Sequence, residues 1–193
     1  MRKLILASAS PRRRELLAGY GRDFSIEISQ TQELPEHALP PSQLALANAE
    51  LKAADVSSRH PEAIVIGADT TIDFESEAIG KPADLKEAFA VLRRLSGKPH
   101  IVSTGVCILS PGDDANIHFI EHSRVFFKKL DDAVIARYLE LVHVLDKAGS
   151  YAVQKHGDML IDRIEGSVNN VIGFPTEKIF AFLRSLDESS SIN

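Results

Sequence analysis

The sequence predicts an α/β fold: a mixed sheet with flanking helices. Three observations carry the prediction. Short apolar or alternating runs take turns with segments of helical period. Two long strand-like segments, 100–109 and 117–128, follow one another across the turn sequence Pro111-Gly112-Asp113-Asp114, which argues against a purely parallel sheet. A chain of 193 residues suits one compact domain, 1–193, or two closely joined lobes, rather than two independent domains.

Taken in order, residues 3–7 read as a short buried strand. Ser10 and Pro11 then open a helix to about Ala18, with Ser as N-cap, Pro at the first helical position, and Gly19 and Gly21 as stops. Residues 24–28 alternate as a second strand, and a loop with Pro35, Pro40 and Pro41 leads to Ser42, the expected cap of a helix through about Val56. Residues 63–67 are apolar throughout, as in a strand buried on both faces. Asp84 caps a helix whose Leu85, Ala88, Phe89, Leu92 and Leu95 recur at helical spacing before Gly97 ends it. Asp131 starts another through about Val142. Residues 151–154 and 159–164 look like short strands, and Pro175-Thr176 opens a last helix. After Leu186 the chain is polar and Ser-rich, so residues from about 187 to 193 are expected to fray.

Composition narrows the function. An apolar share of 44% is enough for a real core, yet no run is long enough to span a membrane. The apolar tetrad after Met1-Arg2-Lys3 is too short for a signal-peptide core, and a single cysteine, Cys107, cannot form an internal disulfide, so a reducing cytoplasm is expected. A net charge of -5 argues against coating nucleic acid but not against gripping a small anion. Where the cations sit therefore matters more than their number.

Three of them, Arg12, Arg13 and Arg14, lie in the first turn of the first helix. Cations there are unfavourable by about 0.3–1 kcal/mol each, because the helix N-terminus is already positive. For Arg12 and Arg13, which follow Ser8-Ala9-Ser10-Pro11 at a strand end, an anion site is the better account; Arg14 reads as solvated. Asp69, in Gly67-Ala68-Asp69-Thr70-Thr71, follows a buried strand where ligands collect in α/β sheets. No helix pattern begins at Thr70, and Ile72 and Phe74 suggest that the strand resumes. Lys81, between Gly80 and Pro82, can present an ammonium to phosphate or be a solvated turn residue. Lys52, beside an apolar stripe, can do the same or snorkel. Glu33 is either a metal ligand or an exposed acid, and Gln154 can hydrogen-bond a base or a phosphate. The seven histidines form no zinc pattern, and neither a nucleophile elbow nor a Walker loop is present.

These segments together resemble the Maf family of nucleotide pyrophosphatases. The likeness is carried by the run from Leu6-Ala7-Ser8 to Leu16-Leu17, by Ile66-Gly67-Ala68-Asp69-Thr70 and Gly80-Lys81-Pro82, by Leu92-Arg93-Arg94-Leu95-Ser96-Gly97, and by Asp146-Lys147-Ala148-Gly149-Ser150-Tyr151 and Ile164-Glu165-Gly166-Ser167. All six fall in family order. The resemblance implies a fold related to inosine triphosphate pyrophosphatases, two lobes around a cleft, a divalent cation (Mg²⁺ or Mn²⁺) and a homodimer. By the same resemblance Ser8, Ser10, Arg12 and Arg13 would hold phosphates, and Glu33 and Asp69 would handle metal and water, with Asp69 the base. Lys52 and Lys81 would neutralise the triphosphate, and Gln154 would complete the pocket. Arg12, Thr70 and Gln154 resemble the branch acting on dTTP and UTP rather than the one acting on 7-methyl-GTP. Two positions depart from the family: Gln32, where an acid is common, and Val168, where an aromatic is common. The rival expectations are 7-methyl-GTP hydrolysis, or a nucleotide-binding regulator of septum formation with little turnover.

Overall fold

In a computed structural model, residues 2–111 and 115–190 are described, with side chains to 188. Residues 112–114 of the expected turn lie outside them. Seven strands and six helices follow in the order β1 (Leu4–Leu6), α1 (Pro11–Ala18), β2 (Ser25–Ile26), α2 (Pro41–Arg59), β3 (Ile64–Phe74), β4 (Glu77–Ile79), α3 (Leu85–Leu95), β5 (Pro99–Leu109), β6 (Ile117–Phe127), α4 (Asp132–Leu141), β7 (Ile161–Glu165), α5 (Val168–Ile172) and α6 (Thr176–Ser190). One sheet holds them all, in the order β2-β1-β3-β5-β6-β7, with β4 on β3 beside the β1 position. β1 runs parallel to β2 and β3, and the other pairings are antiparallel, so the sheet is mixed as the sequence predicts.

The long strands β3, β5 and β6 carry two cores on one face. Leu4, Leu6, Ile64, Ile66, Val106 and Ile108 pack with Leu17 of α1 and with Ile179 and Leu183 of α6. Farther along the same strands, Ile72, Val102 and Val125 pack with Leu92 of α3 and with Ile135 and Tyr138 of α4. The other face is covered by α2, whose alanines let it approach closely. A Cβ on Gly67 would meet Ala49 O at 2.3 Å, and one on Gly105 would meet Leu46 N at 2.4 Å. Only glycine fits at either place.

Several local expectations change. The second strand shrinks to two residues. Ser42 is not the cap of α2: the helix begins at Pro41 after Pro40, with no side-chain cap, because proline needs no N–H there. The apolar run 63–67 is the first part of an eleven-residue strand that passes through Asp69. Residues 151–154 form no strand; 3-10 turns at Ala148–Ser150 and Gly157–Met159 bracket them. β4 and α5 were not anticipated, being only three and five residues long. α6 runs through Ser190, and Asp187 accepts from Tyr20 Oη at 2.9 Å and from Arg22 Nη1 at 2.7 Å. Residues 191–193 of the expected tail lie outside the described residues.

Candidate active site

One edge of β3 is interrupted. β1 pairs with residues 64–66 and β4 with residues 72–74, so 67–71 have no strand partner on that side among the described residues. A cavity of about 420 Å³ opens against this gap. Because side chains alternate along a strand, Asp69 projects toward α2 and Thr70 toward α1, and the cavity receives both. The site is thus built mid-strand, at a gap between two short partners, and not at a strand end as the sequence pattern indicates.

On the Thr70 side, β1 ends by donating Ala7 N–H to Ile66 O, and the chain turns into α1. Ser10 is the N-cap, accepting from Arg13 N at 3.5 Å. Each nitrogen of the Arg13 fork has a protein partner, using three of its five N–H groups: Nε donates to Gly173 O at 2.9 Å, Nη1 to Ser8 Oγ at 3.2 Å and Nη2 to Thr70 Oγ1 at 3.0 Å. Burial pulls the Arg13 pKa below its ordinary value, with Asp69 and Glu33 opposing and neighbouring Arg12 reinforcing the shift.

Proton counting gives the direction of these bonds. Thr104 Oγ1 donates to Asn170 O at 3.0 Å, so in its 3.0 Å contact with Thr70 Oγ1 it must accept. The Thr70 hydroxyl hydrogen is therefore committed to Thr104 and unavailable to a ligand. Ser8 is the opposite case. Its Oγ accepts from Arg13 Nη1 and from Ser10 N, both at 3.2 Å, which leaves its own hydrogen free to donate.

On the Asp69 side, two residues of α2 one turn apart face the carboxylate. Lys52 Nζ lies 2.8 Å from Asp69 Oδ1 and 2.5 Å from Glu33 Oε1. Asn48 Nδ2 donates to Asp69 Oδ2 at 3.3 Å, and its Oδ1 accepts from Leu34 N at 2.8 Å. Desolvation pushes the Glu33 pKa up, but the hydrogen bond and charge of Lys52, with Lys81 and Arg13, outweigh it and hold the group below its ordinary value. Glu33 Oε1 and Asp69 Oδ1 thus converge on one cation, here an ammonium.

The far wall comes from the segments that follow β4 and α4. Lys81 is exposed at the rim, and Arg12 Nη1 lies 3.8 Å from Asp146 Oδ2 across the mouth. Lys147 is buried, with Nζ on His143 O at 2.6 Å and on Asp146 Oδ1 at 2.5 Å. Tyr151 is also buried and shares a 2.8 Å hydrogen bond with His100 Nε2. Burial raises the Tyr151 pKa and lowers that of His100 to about 4. Gln154 is exposed on the same wall.

All ten residues singled out from the sequence line this one cavity: Ser8, Ser10, Arg12 and Arg13, with Glu33, Lys52, Asp69, Thr70, Lys81 and Gln154. Arg14 is exposed, as expected. Val168 is 47% exposed at the start of α5 and does not line the cavity. Two contributors went unnoticed, Asn48 and Lys147. An asparagine among the alanines of a buried helix face was a readable signal for the first; the second was quoted within its motif without a role. No group of three or more His, Cys, Asp or Glu that could hold a metal occurs among the described residues. The carboxylate pair Glu33 and Asp69 is what the cavity offers a hard cation.

Known proteins resemble this chain over nearly its whole length. The model of the family described as "Maf-like protein" matches residues 3–186. A relative from Akkermansia muciniphila named dTTP/UTP pyrophosphatase is 47% identical, covering 95% of this chain and 96% of its own. Relatives of the same name from Deinococcus radiodurans and Bacillus cytotoxicus are 40% and 38% identical; they cover 97% and 99% of this chain, and 95% and 99% of their own. A solved HAM1 protein structure from Coxiella burnetii aligns with 66% of this chain and 73% of its own at a TM-score of 0.42 and 17% identity, an overlap too partial to bear on function. With the match running through every segment that lines the cavity up to Ile172, the chain belongs to the Maf-like protein family.

Proposed function

We propose that this protein hydrolyses dTTP and UTP to the nucleoside monophosphate and pyrophosphate. One observation supports the reading above all: a cavity of nucleotide size in which Arg12, Arg13, Lys52, Lys81 and Lys147 surround the paired carboxylates Glu33 and Asp69. Relatives that carry this name match nearly the whole chain. The absence of a nucleophile elbow fits direct attack by water, which needs positioning and charge neutralisation rather than a covalent intermediate.

Glu33 and Asp69 would hold Mg²⁺ or Mn²⁺. The fit rests on their oxygens already converging on one positive charge, that of Lys52. When bound, the ion supplies Lewis-acid polarisation of the phosphate oxygens. The chain does the rest. Asp69 orients a water and takes its proton as the water oxygen bonds to the α-phosphorus. The bond from that phosphorus to the bridging oxygen breaks, and pyrophosphate leaves with its charge balanced by Arg13, Lys52 and Lys81. The free Ser8 hydrogen donates to a phosphate oxygen, while Ser10 and Arg12 line the same approach. Gln154 faces the base, and Thr70 acts through Arg13.

The test is pyrophosphate release with Mg²⁺ or Mn²⁺ across dTTP, UTP, CTP, the purine triphosphates and 7-methyl-GTP. The expected result is release from dTTP and UTP with the monophosphate as co-product. Preference for 7-methyl-GTP would reassign the branch. Silence on every nucleotide from folded protein, with a nucleotide-induced rise in Tm, would favour the binding regulator. A homodimer in the cytoplasm belongs to the same proposal, checked by light scattering and cell fractionation. Among the described residues no helix is long and apolar enough to cross a membrane.

A further inference from the structure

The face of α2 that lies on the sheet is made for close packing, with Ala45, Ala49 and Ala53 each fully buried. Asn48 interrupts it at 3% exposure. A buried amide is unfavourable unless both of its ends are bonded, by roughly 1–3 kcal/mol for each group left unpaired. Both ends are used here, and each partner fixes the orientation. The Leu34 N–H can pair only with the amide oxygen, and the Asp69 carboxylate only with the amide NH₂. Four residues on, Lys52 makes the same connection through charge, between Glu33 and Asp69. The Glu33 segment is therefore tied to Asp69 twice, once at the Leu34 backbone through Asn48 and once at the Glu33 carboxylate through Lys52. The close approach that allows this depends on Gly105, which sits directly opposite Asp69 in the β3–β5 ladder.

We propose that Asn48 is a positioning residue that holds the Glu33 segment and the Asp69 carboxylate in register, so that their oxygens converge on one divalent cation. The inference rests on the pyrophosphatase reading for the cation's use, but the geometric claim stands on the two hydrogen bonds. Lys52 cannot do this work alone. Its ammonium is the group that must turn to the triphosphate, and when it does Asn48 is the remaining tie. An amide suits the task because it grips the carboxylate without competing as a charge.

The experiment compares wild type, Asn48→Leu, Asn48→Ala and Asp69→Asn by calorimetric titration with Mn²⁺ alone, by hydrogen exchange at the Leu34 amide, and by steady-state kinetics. Asn48→Leu keeps the volume and removes both bonds; Asn48→Ala serves if leucine does not pack. The expected result is Mn²⁺ binding weakened about 10–100-fold in the Asn48 variants, with kcat falling in step and the Leu34 amide losing protection. Mn²⁺ affinity equal to wild type in a folded Asn48 variant, while Asp69→Asn binds weakly, overturns the inference and leaves the functional reading intact. Mn²⁺ binding that is absent in wild type, or unaffected by Asp69→Asn, overturns the functional reading itself.

Discussion

Asp69 and Thr70 are neighbours in one strand and face opposite sides of the same gap, yet they are held in different ways. Asp69 is gripped at both oxygens by one helix, through a charge at Lys52 and an amide at Asn48, and each carboxylate oxygen keeps lone pairs for a ligand. Thr70 belongs to a directed chain running from Arg13 through Thr70 and Thr104 to Asn170 O, in which every hydroxyl hydrogen is committed to protein. Asp69 keeps capacity for chemistry, and Thr70 is part of a frame. A polar residue in a cavity is thus not defined by facing it. What matters is which of its hydrogens and lone pairs the protein leaves free.

This contrast can be broken most decisively at Asp69. Asp69→Asn should lower kcat about 10³-fold, in the range for loss of a general base, with an unchanged circular dichroism spectrum. Near-normal turnover would remove Asp69 from the working side. Next is Arg13→Lys, which keeps the charge but cannot reach Gly173, Ser8 and Thr70 together. The expected loss in kcat/KM is about 10–100-fold, with a lower Tm. A drop in kcat/KM at constant Tm would mean that Arg13 serves the ligand and not the frame.

His100 sharpens the distinction through pH, because it should alter stability without altering turnover. Its pKa is lowered from 6.5 to about 4 by burial. Between those values the unfolded chain binds more protons than the native one, so stability falls as pH drops below 6.5 and the loss levels off below about 4. Urea unfolding should show about 2 kcal/mol lost by pH 5 through this group alone, on the order of 1.4 kcal/mol per pH unit. His100→Gln should remove that part of the slope while leaving kcat at pH 7 within about twofold, because His100 does not line the cavity. An unchanged slope would mean that the histidine charges readily in the native state. The smallest effect is expected at Thr70→Ser, which keeps both the hydroxyl donor and the acceptor and should change kcat/KM less than about threefold. Thr70→Val should destabilise by about 1–3 kcal/mol by leaving an Arg13 N–H and the Thr104 oxygen unpaired. If valine is as benign as serine, the chain is not a frame.

Much of this architecture was legible in the residues. The helix at Ser10-Pro11 begins where its cap chemistry places it, because capping is local and needs nothing beyond three or four residues. The helices capped by Asp84 and Asp131 do likewise. The extent of α2 and the irregular path at 151–154 were misread. In each case long-range packing overrides a local signal, as where Tyr151 leaves a strand-like run to bond His100. Arg12, Arg13 and Asp69 stand out because their types are chemically unusual in their settings, arginines at a helix N-terminus and an acid inside a strand; the other seven site residues were carried by the family resemblance. Asn48 was missed since its meaning depends on a loop fourteen residues before it and a strand twenty-one residues after it.

The sequence by itself determined the α/β class, the mixed sheet, the cap of α1 and the set of charged groups, all of which follow from periodicity, turn chemistry and residue type. Only the tertiary structure decided that β1 and β4 stop short of one another along β3, opening the gap into which Asp69 and Thr70 project to opposite sides. It alone also gave the hydroxyls their direction. A hydrogen bond's direction depends on the partner's other bonds, and for the Thr70 hydroxyl the deciding one is Thr104's bond to Asn170 O, which spans 66 residues of the chain.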